Sequence, residues 1–246
     1  MATFAIGDIH GNIQALDDLL ARITPEIDAR DTVVFLGDYI DRGTDSKACI
    51  DRILDFRNTA KAEAVSLIGN HEQWMLETYR DHTRHSWILG MEGFSTIRSY
   101  SRDAAAKLAH ELGKLGARVV LEHIPLPYQA FFEAVPVEHM AFLSSLSTFC
   151  RTPDAVCVHG GIDPAGGRAE EQQTESLIWG AAGFPNSYEG SDVIVYGHAN
   201  NPIIDDAGWP HPRSVGRTYG LDTIGEGVLT ALRLPDLAIF QSRRFL

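Results

Sequence analysis

Three short polar blocks, each directly following an apolar run, constrain this chain more than any other feature. The blocks read GDIHG at 7–11, GDYIDRG at 37–43 and GNHE at 69–72. An apolar run that ends abruptly in glycine and polar side chains predicts a buried strand with those side chains at its carboxyl end. In open α/β sheets, sites form at that edge. Three such loops side by side would collect carboxylates, imidazoles and a carboxamide around one point, which is typical of a two-metal hydrolytic centre.

The order of predicted elements around these blocks favours an α/β fold. Strand, helix, strand, helix and strand alternate over the first seventy residues, with Asn12 as the N-cap of the first helix and a second helix at about 45–57. This βαβαβ order predicts a parallel sheet with right-handed crossovers. Residues at about 73–150 follow a helical pattern instead and are interpreted as a mainly helical insertion. A chain of 246 residues is most simply a single domain spanning 1–246.

Charge and composition exclude several classes of partner. The formal net charge of −12 argues against broad binding of nucleic acid or of an anionic membrane, because both need a basic face. Three cysteines are an odd number without metal-finger spacing, which favours reduced thiols. The N-terminus shows no basic segment followed by a cleavable apolar stretch. We therefore expect a cytoplasmic protein.

Six residues are candidate metal ligands because each follows an apolar strand and lies beside glycine or another ligand. Asp38 is the one that could bridge two ions, since a carboxylate has two oxygens. Mixed carboxylate, carboxamide and imidazole ligation favours Mn²⁺, with Fe or Zn²⁺ as alternatives, over Mg²⁺ or Ca²⁺. The predicted ligands of these two divalent ions are Asp8, His10, Asp38, Asn70, His159 and His198.

Three further residues are candidates for catalysis. Two ions about 3.5–4 Å apart can share a bridging water as nucleophile, but the leaving oxygen still needs a proton. His71 adjoins Asn70 without being used as a ligand, so it is the candidate general acid. Asp41 can orient that imidazole, and Arg42 can hold phosphate oxygens through its planar guanidinium. The tryptophans are assigned to packing, and Glu72 is interpreted as a support for its loop.

With these residues in place, the chain resembles the phosphoprotein phosphatase family of metallophosphoesterases. The core blocks of that family are GD-x-HG, GD-x-x-DRG and GNH[E/D], and all three are complete here. The resemblance covers nearly the whole length and is strongest to the short bacterial serine/threonine phosphatases. It implies a calcineurin-like four-layer αββα sandwich, in which two mixed sheets are flanked by helices. It also implies two metals and direct attack by metal-bound water.

Three departures from the family pattern concern the substrate. The segment Leu177-Ile178-Trp179 lacks the arginine that commonly follows it, so Arg168 is the remaining candidate, with Arg42 and Asn70, for binding substrate. Ala199 replaces a frequent threonine after the last histidine. The C-terminal Ser-Ala-Pro-Asn-Tyr-Cys segment of eukaryotic members is absent.

The sequence leaves three functions open. The preferred prediction is a dimetal phosphomonoesterase acting on phosphorylated proteins at serine or threonine, or on a small phosphoester. The first alternative is a symmetrical dinucleoside polyphosphate hydrolase acting on diadenosine tetraphosphate, and the second is a phosphate-binding module without turnover. The intact Asp41 and His71 argue against the last of these.

Overall fold

The computed structural model describes residues 1–199 and 201–245, which form two five-stranded sheets and a short two-stranded ribbon. The strands are β1 (Thr3–Ile6), β2 (Thr32–Phe35), β3 (Glu63–Ser66), β4 (Phe149–Arg151), β5 (Val156–Val158), β6 (Ile194–Tyr196), β7 (Ile203–Ile204), β8 (Pro210–His211), β9 (Arg213–Val215), β10 (Thr218–Gly220), β11 (Thr230–Leu234) and β12 (Ala238–Gln241).

Each large sheet contains three parallel strands bordered by antiparallel ones. The first sheet has the order β12-β11-β1-β2-β3, in which β1, β2 and β3 are parallel. The second has the order β4-β5-β6-β10-β9, in which β5, β6 and β10 are parallel. Two sets of parallel strands therefore present their carboxyl ends as sites for functional loops.

The first two helices connect the parallel strands of the first sheet. They are α1 (Ile13–Ile23) and α2 (Ser46–Thr59). The predicted N-cap is present, because the Asn12 side chain accepts a hydrogen bond from the Ala15 amide at 3.0 Å. The side chain of Asp45 caps α2 in the same way through the Ala48 amide.

Seven further helices lie between β3 and β4 in the described chain. They are α3 (Asn70–Arg80), α4 (Ser86–Gly90), α5 (Phe94–Tyr100), α6 (Arg102–Leu115), α7 (Arg118–Leu121), α8 (Gln129–Phe132) and α9 (Val137–Ser144). A tenth, α10 (Thr174–Trp179), follows β5. None of the described helices is long and apolar enough to cross a lipid bilayer.

Alternating side chains of the strands separate the layers. Ala5 of β1 and Val34 of β2 face a cluster that includes Cys157 and Val195 of the second sheet. Their neighbours Phe4 and Ile6 instead pack against the helices. On the outer face of the second sheet, Val156 and Ile194 pack with Leu177 of α10. Because successive residues of a strand point to opposite faces, this pattern gives helix, sheet, sheet and helix as four layers. The predicted calcineurin-like αββα sandwich is confirmed.

Candidate metal centre

The six predicted ligands follow five parallel strands and come together in space. Asp8 and His10 follow β1, Asp38 follows β2, Asn70 opens α3 after β3, His159 follows β5 and His198 follows β6. The Asn70 Oδ1 atom lies 3.0 Å from His159 Nε2 and 2.9 Å from His198 Nδ1. His198 also donates its backbone N–H to Asp8 Oδ2 at 2.9 Å. Both sheets thus contribute to one cluster of donor atoms.

Asp38 lies between two groups of potential ligands. Its Oδ2 atom is 3.5 Å from His10 Nε2, and its Oδ1 atom is 3.4 Å from His159 Nε2. Ligand atoms of His10, Asp38 and His71 lie within 4.8 Å of one another, and so do those of Asp38, His159 and His198. The two oxygens of one carboxylate therefore face different sets of histidines, which is the placement that a bridging ligand requires.

Backbone carbonyls orient two of these imidazoles with a nitrogen lone pair toward the centre. The Nδ1 of His10 lies 3.0 Å from the Ile40 carbonyl, and the Nδ1 of His159 lies 2.9 Å from the Leu36 carbonyl. Because a carbonyl only accepts, Nδ1–H must donate in both cases, and neutral rings then carry their lone pair on Nε2. The buried Nε2 of His10 has no hydrogen-bond partner. A metal ion would accept the lone pair of His10 Nε2 directly, and that of His159 Nε2 in place of the proton shared with Asn70 Oδ1.

The charges at the centre are unbalanced without a cation. Burial and the neighbouring His71 and Arg42 outweigh Asp38 and lower the pKa of His10 to about 3. Burial lowers the pKa of His159, but the nearby carboxylates outweigh it and raise the value to about 10. Burial and neighbouring carboxylates raise the pKa of Asp8 well above its usual value. A divalent ion would relieve the repulsion between these buried groups.

The backbone of the loops is strained where it presents these side chains. Positive φ angles occur at His10 (45°), Asp38 (52°), Asp41 (69°), Arg42 (62°) and His198 (64°). Such conformations are costly for residues other than glycine and are concentrated at functional sites.

Two glycines allow the carboxylates to approach the neighbouring loops. A Cβ atom on Gly69 would overlap Asp38 Oδ1, and one on Gly197 would overlap Asp8 Oδ1. The close approach explains why glycine stands at position 69 in the third sequence block and at position 197 before His198.

Glu72 supports the second loop. Its carboxylate accepts hydrogen bonds from the backbone N–H groups of Gly69 at 3.0 Å, Asp38 at 2.9 Å and Tyr39 at 2.8 Å. These bonds join the loop after β2 to the start of α3 and fix the position of Asp38. Its geometry is that of the loop support predicted from the sequence.

His71 and Asp41 form a buried pair beside the ligands. His71 Nδ1 lies 2.8 Å from Asp41 Oδ2, and the buried His71 Nε2 has no hydrogen-bond partner. Burial lowers the pKa of His71, but the carboxylates of Asp38, Asp41 and Glu72 outweigh this effect and raise it. The imidazole is therefore oriented by one nitrogen and free to exchange a proton at the other.

Two residues that donate hydrogen bonds to Asp41 were not predicted from the sequence. The indole N–H of Trp87 donates to Asp41 Oδ2 at 2.8 Å, and the Thr96 hydroxyl donates to Asp41 Oδ1 at 2.6 Å. The Asp41 amide in turn donates to Thr96 Oγ1 at 2.8 Å. Nothing near Trp87 in the sequence connects it with Asp41, so the sequence predicts only a packing role for it.

The two arginines predicted to bind substrate lie in different environments. Arg42 is exposed and lines a cavity together with His10. The side chain of Arg168 is 68% exposed and lies 3.5 Å from Glu170, and no hydrogen bond or ion pair joins it to the six predicted ligands among the described residues. Arg168 as a substrate-binding residue stays a prediction without structural support.

Comparison with known proteins gives the family. Residues 1–227 match the family model described as calcineurin-like phosphoesterase. A symmetrical bis(5'-nucleosyl)-tetraphosphatase of Pectobacterium carotovorum subsp. carotovorum (strain PC1) is 32% identical over 98% of this chain and 94% of its own length. A zinc-dependent endopolyphosphatase of Saccharomyces cerevisiae is 27% identical, but the match covers 45% of this chain and 34% of that protein.

Solved structures agree on the fold. A structure described as a putative diadenosine tetraphosphatase superposes with a TM-score of 0.59 at 19% identity, covering 98% of this chain and 92% of the other. A cold-active protein-tyrosine phosphatase of a Shewanella species has a TM-score of 0.58 at 16% identity, covering 98% and 80%.

The relatives support the predicted enzyme class but not the predicted serine/threonine phosphatase branch. Metal-dependent phosphoester hydrolysis as the enzyme class is confirmed, whereas assignment to the serine/threonine phosphatases is not supported by relatives named tetraphosphatases. The chain belongs to the calcineurin-like phosphoesterase family.

Proposed function

We propose that this protein is a two-metal hydrolase that cleaves a phosphoanhydride bond of dinucleoside polyphosphates. The proposal of two metals rests on the position of Asp38. One of its oxygens faces His10, and the other faces His159. The substrate is inferred from the tetraphosphatase that is 32% identical over almost the whole chain.

The donor atoms suggest how two ions would be shared. One ion would be held by Asp8, His10 and Asp38, and the other by Asp38 together with Asn70, His159 and His198. Mixed nitrogen and oxygen ligands suit Mn²⁺, Fe or Zn²⁺, and we propose Mn²⁺. When bound, the two ions would supply an activated water and neutralise charge on the phosphoryl oxygens.

His71 is proposed to protonate the leaving oxygen. In the protonated ring, Nδ1–H donates to Asp41, and Nε2–H is left without a protein acceptor. That second N–H is available to the oxygen that departs from phosphorus. Asp41 holds the ring in place and favours its protonated form, and it is itself held by Trp87 and Thr96.

A cavity beside His10 has the character expected for a nucleotide. It measures about 350 Å³ and is lined by a cationic side chain, Arg42, and by apolar groups that include Ile224 and Phe245. A guanidinium group suits phosphate oxygens, and an aromatic ring suits the face of a base. The volume lies within the range of small-molecule sites.

A side-by-side assay tests the proposed substrate. The manganese-loaded protein is given diadenosine tetraphosphate or a phosphoserine peptide, and kcat/KM is measured for each. We expect the dinucleotide to be preferred, and the isosteric variant Asp38→Asn to lose the activity. Preference for the phosphoserine peptide would instead favour the protein phosphatase predicted from the three complete sequence blocks.

A further inference from the structure

A third buried carboxylate lies near the centre and has no hydrogen-bond partner. Asp222 is 3% exposed, and neither of its side-chain oxygens makes a hydrogen bond. Burial and Asp38 raise the pKa of Asp222 to about 6, against the smaller lowering effects of Arg42, His159 and the Ile224 backbone N–H. Because buried polar groups are nearly always paired, two orphaned carboxylate oxygens need a physical explanation.

The fold places Asp222 at the same edge as the ligands. It follows β10, and β10 is parallel to β6 with Gly220 opposite Tyr196. The Leu221 amide donates to the Tyr196 carbonyl at 2.8 Å, which continues this pairing to the residue before Asp222. Five of the six strands in the two parallel sets end in predicted metal ligands, and the sixth, β10, ends in Asp222.

The charges that act on Asp222 belong to the centre. They are the side chains of Asp38, Arg42 and His159. Conversely, Asp222 acts on Asp8. Of the charged neighbours that raise the pKa of Asp8, Asp222 has the largest effect. Asp222, like Asp8, is outside both groups of donor atoms that lie within 4.8 Å of one another. Asp8 Oδ2 nevertheless lies 3.9 Å from His10 Nε2, whereas no hydrogen bond or ion pair joins Asp222 to a predicted ligand among the described residues. The charge of Asp222 therefore acts on the predicted ligands, although its oxygens are not among the clustered donor atoms.

We propose that Asp222 is an outer carboxylate of the metal centre that accepts hydrogen bonds from water bound to the cation beside Asp8. In this position it strengthens the binding of divalent cations without contacting the metal directly. It is a positioning residue that acts through the bound water, and the inference rests on the proposed two-metal function. Residues in such outer positions typically change metal affinity by 10–100-fold.

The affinity for Mn²⁺ tests this role directly. The full chain is stripped with chelator and titrated with Mn²⁺ by calorimetry, comparing wild type, Asp222→Asn and the exposed control Asp206→Asn. We expect Asp222→Asn to weaken Mn²⁺ binding by about 10–100-fold, and Asp206→Asn to match wild type. If wild type binds no Mn²⁺, the proposed function itself fails; if Asp222→Asn binds like wild type, only the role of Asp222 fails.

Thermal stability separates this role from a structural one. In chelator, Asp222→Asn should be at least as stable as wild type, because a buried unpaired carboxylate near Asp8 and Asp38 is removed. With Mn²⁺ present, the increase in Tm should be smaller than in wild type. Equal loss of Tm with and without Mn²⁺, or failure of the variant to fold, would overturn the proposal, since the carboxylate would then be supporting the fold.

Discussion

Both side-chain oxygens of Asp41 accept hydrogen bonds. It receives His71 Nδ1, the Trp87 indole and the Thr96 hydroxyl while completely buried. Burial raises the pKa of Asp41 and outweighs the three donors, which favour its charged form. A charged Asp41 would keep His71 protonated and oriented, which connects the contacts of this carboxylate with the proton transfer proposed for His71.

Replacing His71 by asparagine should slow hydrolysis most for substrates whose leaving group is strongly basic. Asparagine cannot donate a proton, so a substrate that departs as a basic alkoxide loses the benefit of acid catalysis, about 10²–10⁴-fold. p-Nitrophenolate departs without a proton, so p-nitrophenyl phosphate should lose much less. The measurement is kcat/KM of His71→Asn on glycerol phosphate and on p-nitrophenyl phosphate, and equal losses on both would contradict the role of His71.

Replacing Asp41 by asparagine should shift the alkaline limb of the profile of kcat/KM against pH to lower pH. If His71 is the general acid as proposed, rates on alkyl phosphates require its protonated form and fall as pH rises through its pKa. Asp41 raises that pKa, so its loss lowers the pKa and shifts the limb to lower pH by about one unit or more. The profile of kcat/KM against pH measures this, with Asp206→Asn as a control. An unshifted limb in Asp41→Asn would show that another group is titrating.

At the scale of elements, strands were easier to predict than the helical segment. The convergence of six side chains was predictable because each follows a short apolar strand, and the carboxyl ends of parallel strands share an edge. Asp222 was missed because the apolar signal before it is weak, with Thr218, Tyr219 and Gly220 forming β10. The final hairpin was predictable from two apolar runs separated by Pro235 and Asp236.

The support of Asp41 was not predictable because it depends on packing between distant elements. Trp87 lies on the five-residue helix α4, and Thr96 lies on the seven-residue helix α5. They are 46 and 55 residues from Asp41. No local pattern fixes which face of so short a helix meets a particular carboxylate.

Removing the indole N–H on α4 should destabilise the protein. Trp87→Phe leaves one oxygen of a buried carboxylate short of a donor, which costs about 1.5–3 kcal/mol. Trp209→Phe is the matched control, because its N–H donates to the neutral Gln241 Oε1 at 2.7 Å and should cost about 1 kcal/mol. Urea unfolding measures both values, and a smaller loss for Trp87→Phe than for Trp209→Phe would refute the importance of this bond.

The segment after β12 should influence substrate selectivity. Its backbone is held beside the cavity, since Phe245 N–H donates to the Gly227 carbonyl at 2.7 Å and Asn12 donates to the Phe245 carbonyl at 3.2 Å. Phe245→Ala should raise KM for diadenosine tetraphosphate about tenfold by loss of stacking, with a smaller effect on tripolyphosphate. Phe245→Tyr keeps the ring and should retain selectivity. If Phe245→Ala raises KM equally for both substrates, the ring does not contact the base.

For the whole molecule, the two sheets are joined by the centre as well as by their apolar interface. The first sheet supplies Asp8, His10, Asp38 and Asn70, and the second supplies His159 and His198. Bound cations would therefore stabilise the packing of one sheet on the other, whereas repulsion between the carboxylates opposes folding when cations are removed.

Removal of metal should lower the thermal stability of the entire chain. At a free Mn²⁺ concentration of 100 times its Kd, one site adds about 2.7 kcal/mol to the free energy of unfolding. The Tm should thus fall in chelator and rise with the logarithm of Mn²⁺ concentration. Calorimetric scans across a Mn²⁺ titration measure this, and a Tm that chelator leaves unchanged would argue against metal binding in the folded state.

Anomalous diffraction from manganese-loaded crystals would show whether the six side chains hold two divalent ions around Asp38. We expect two anomalous peaks, one between Asp8, His10 and Asp38, and one between Asp38, Asn70, His159 and His198. A single peak, or peaks that do not both contact Asp38, would contradict it.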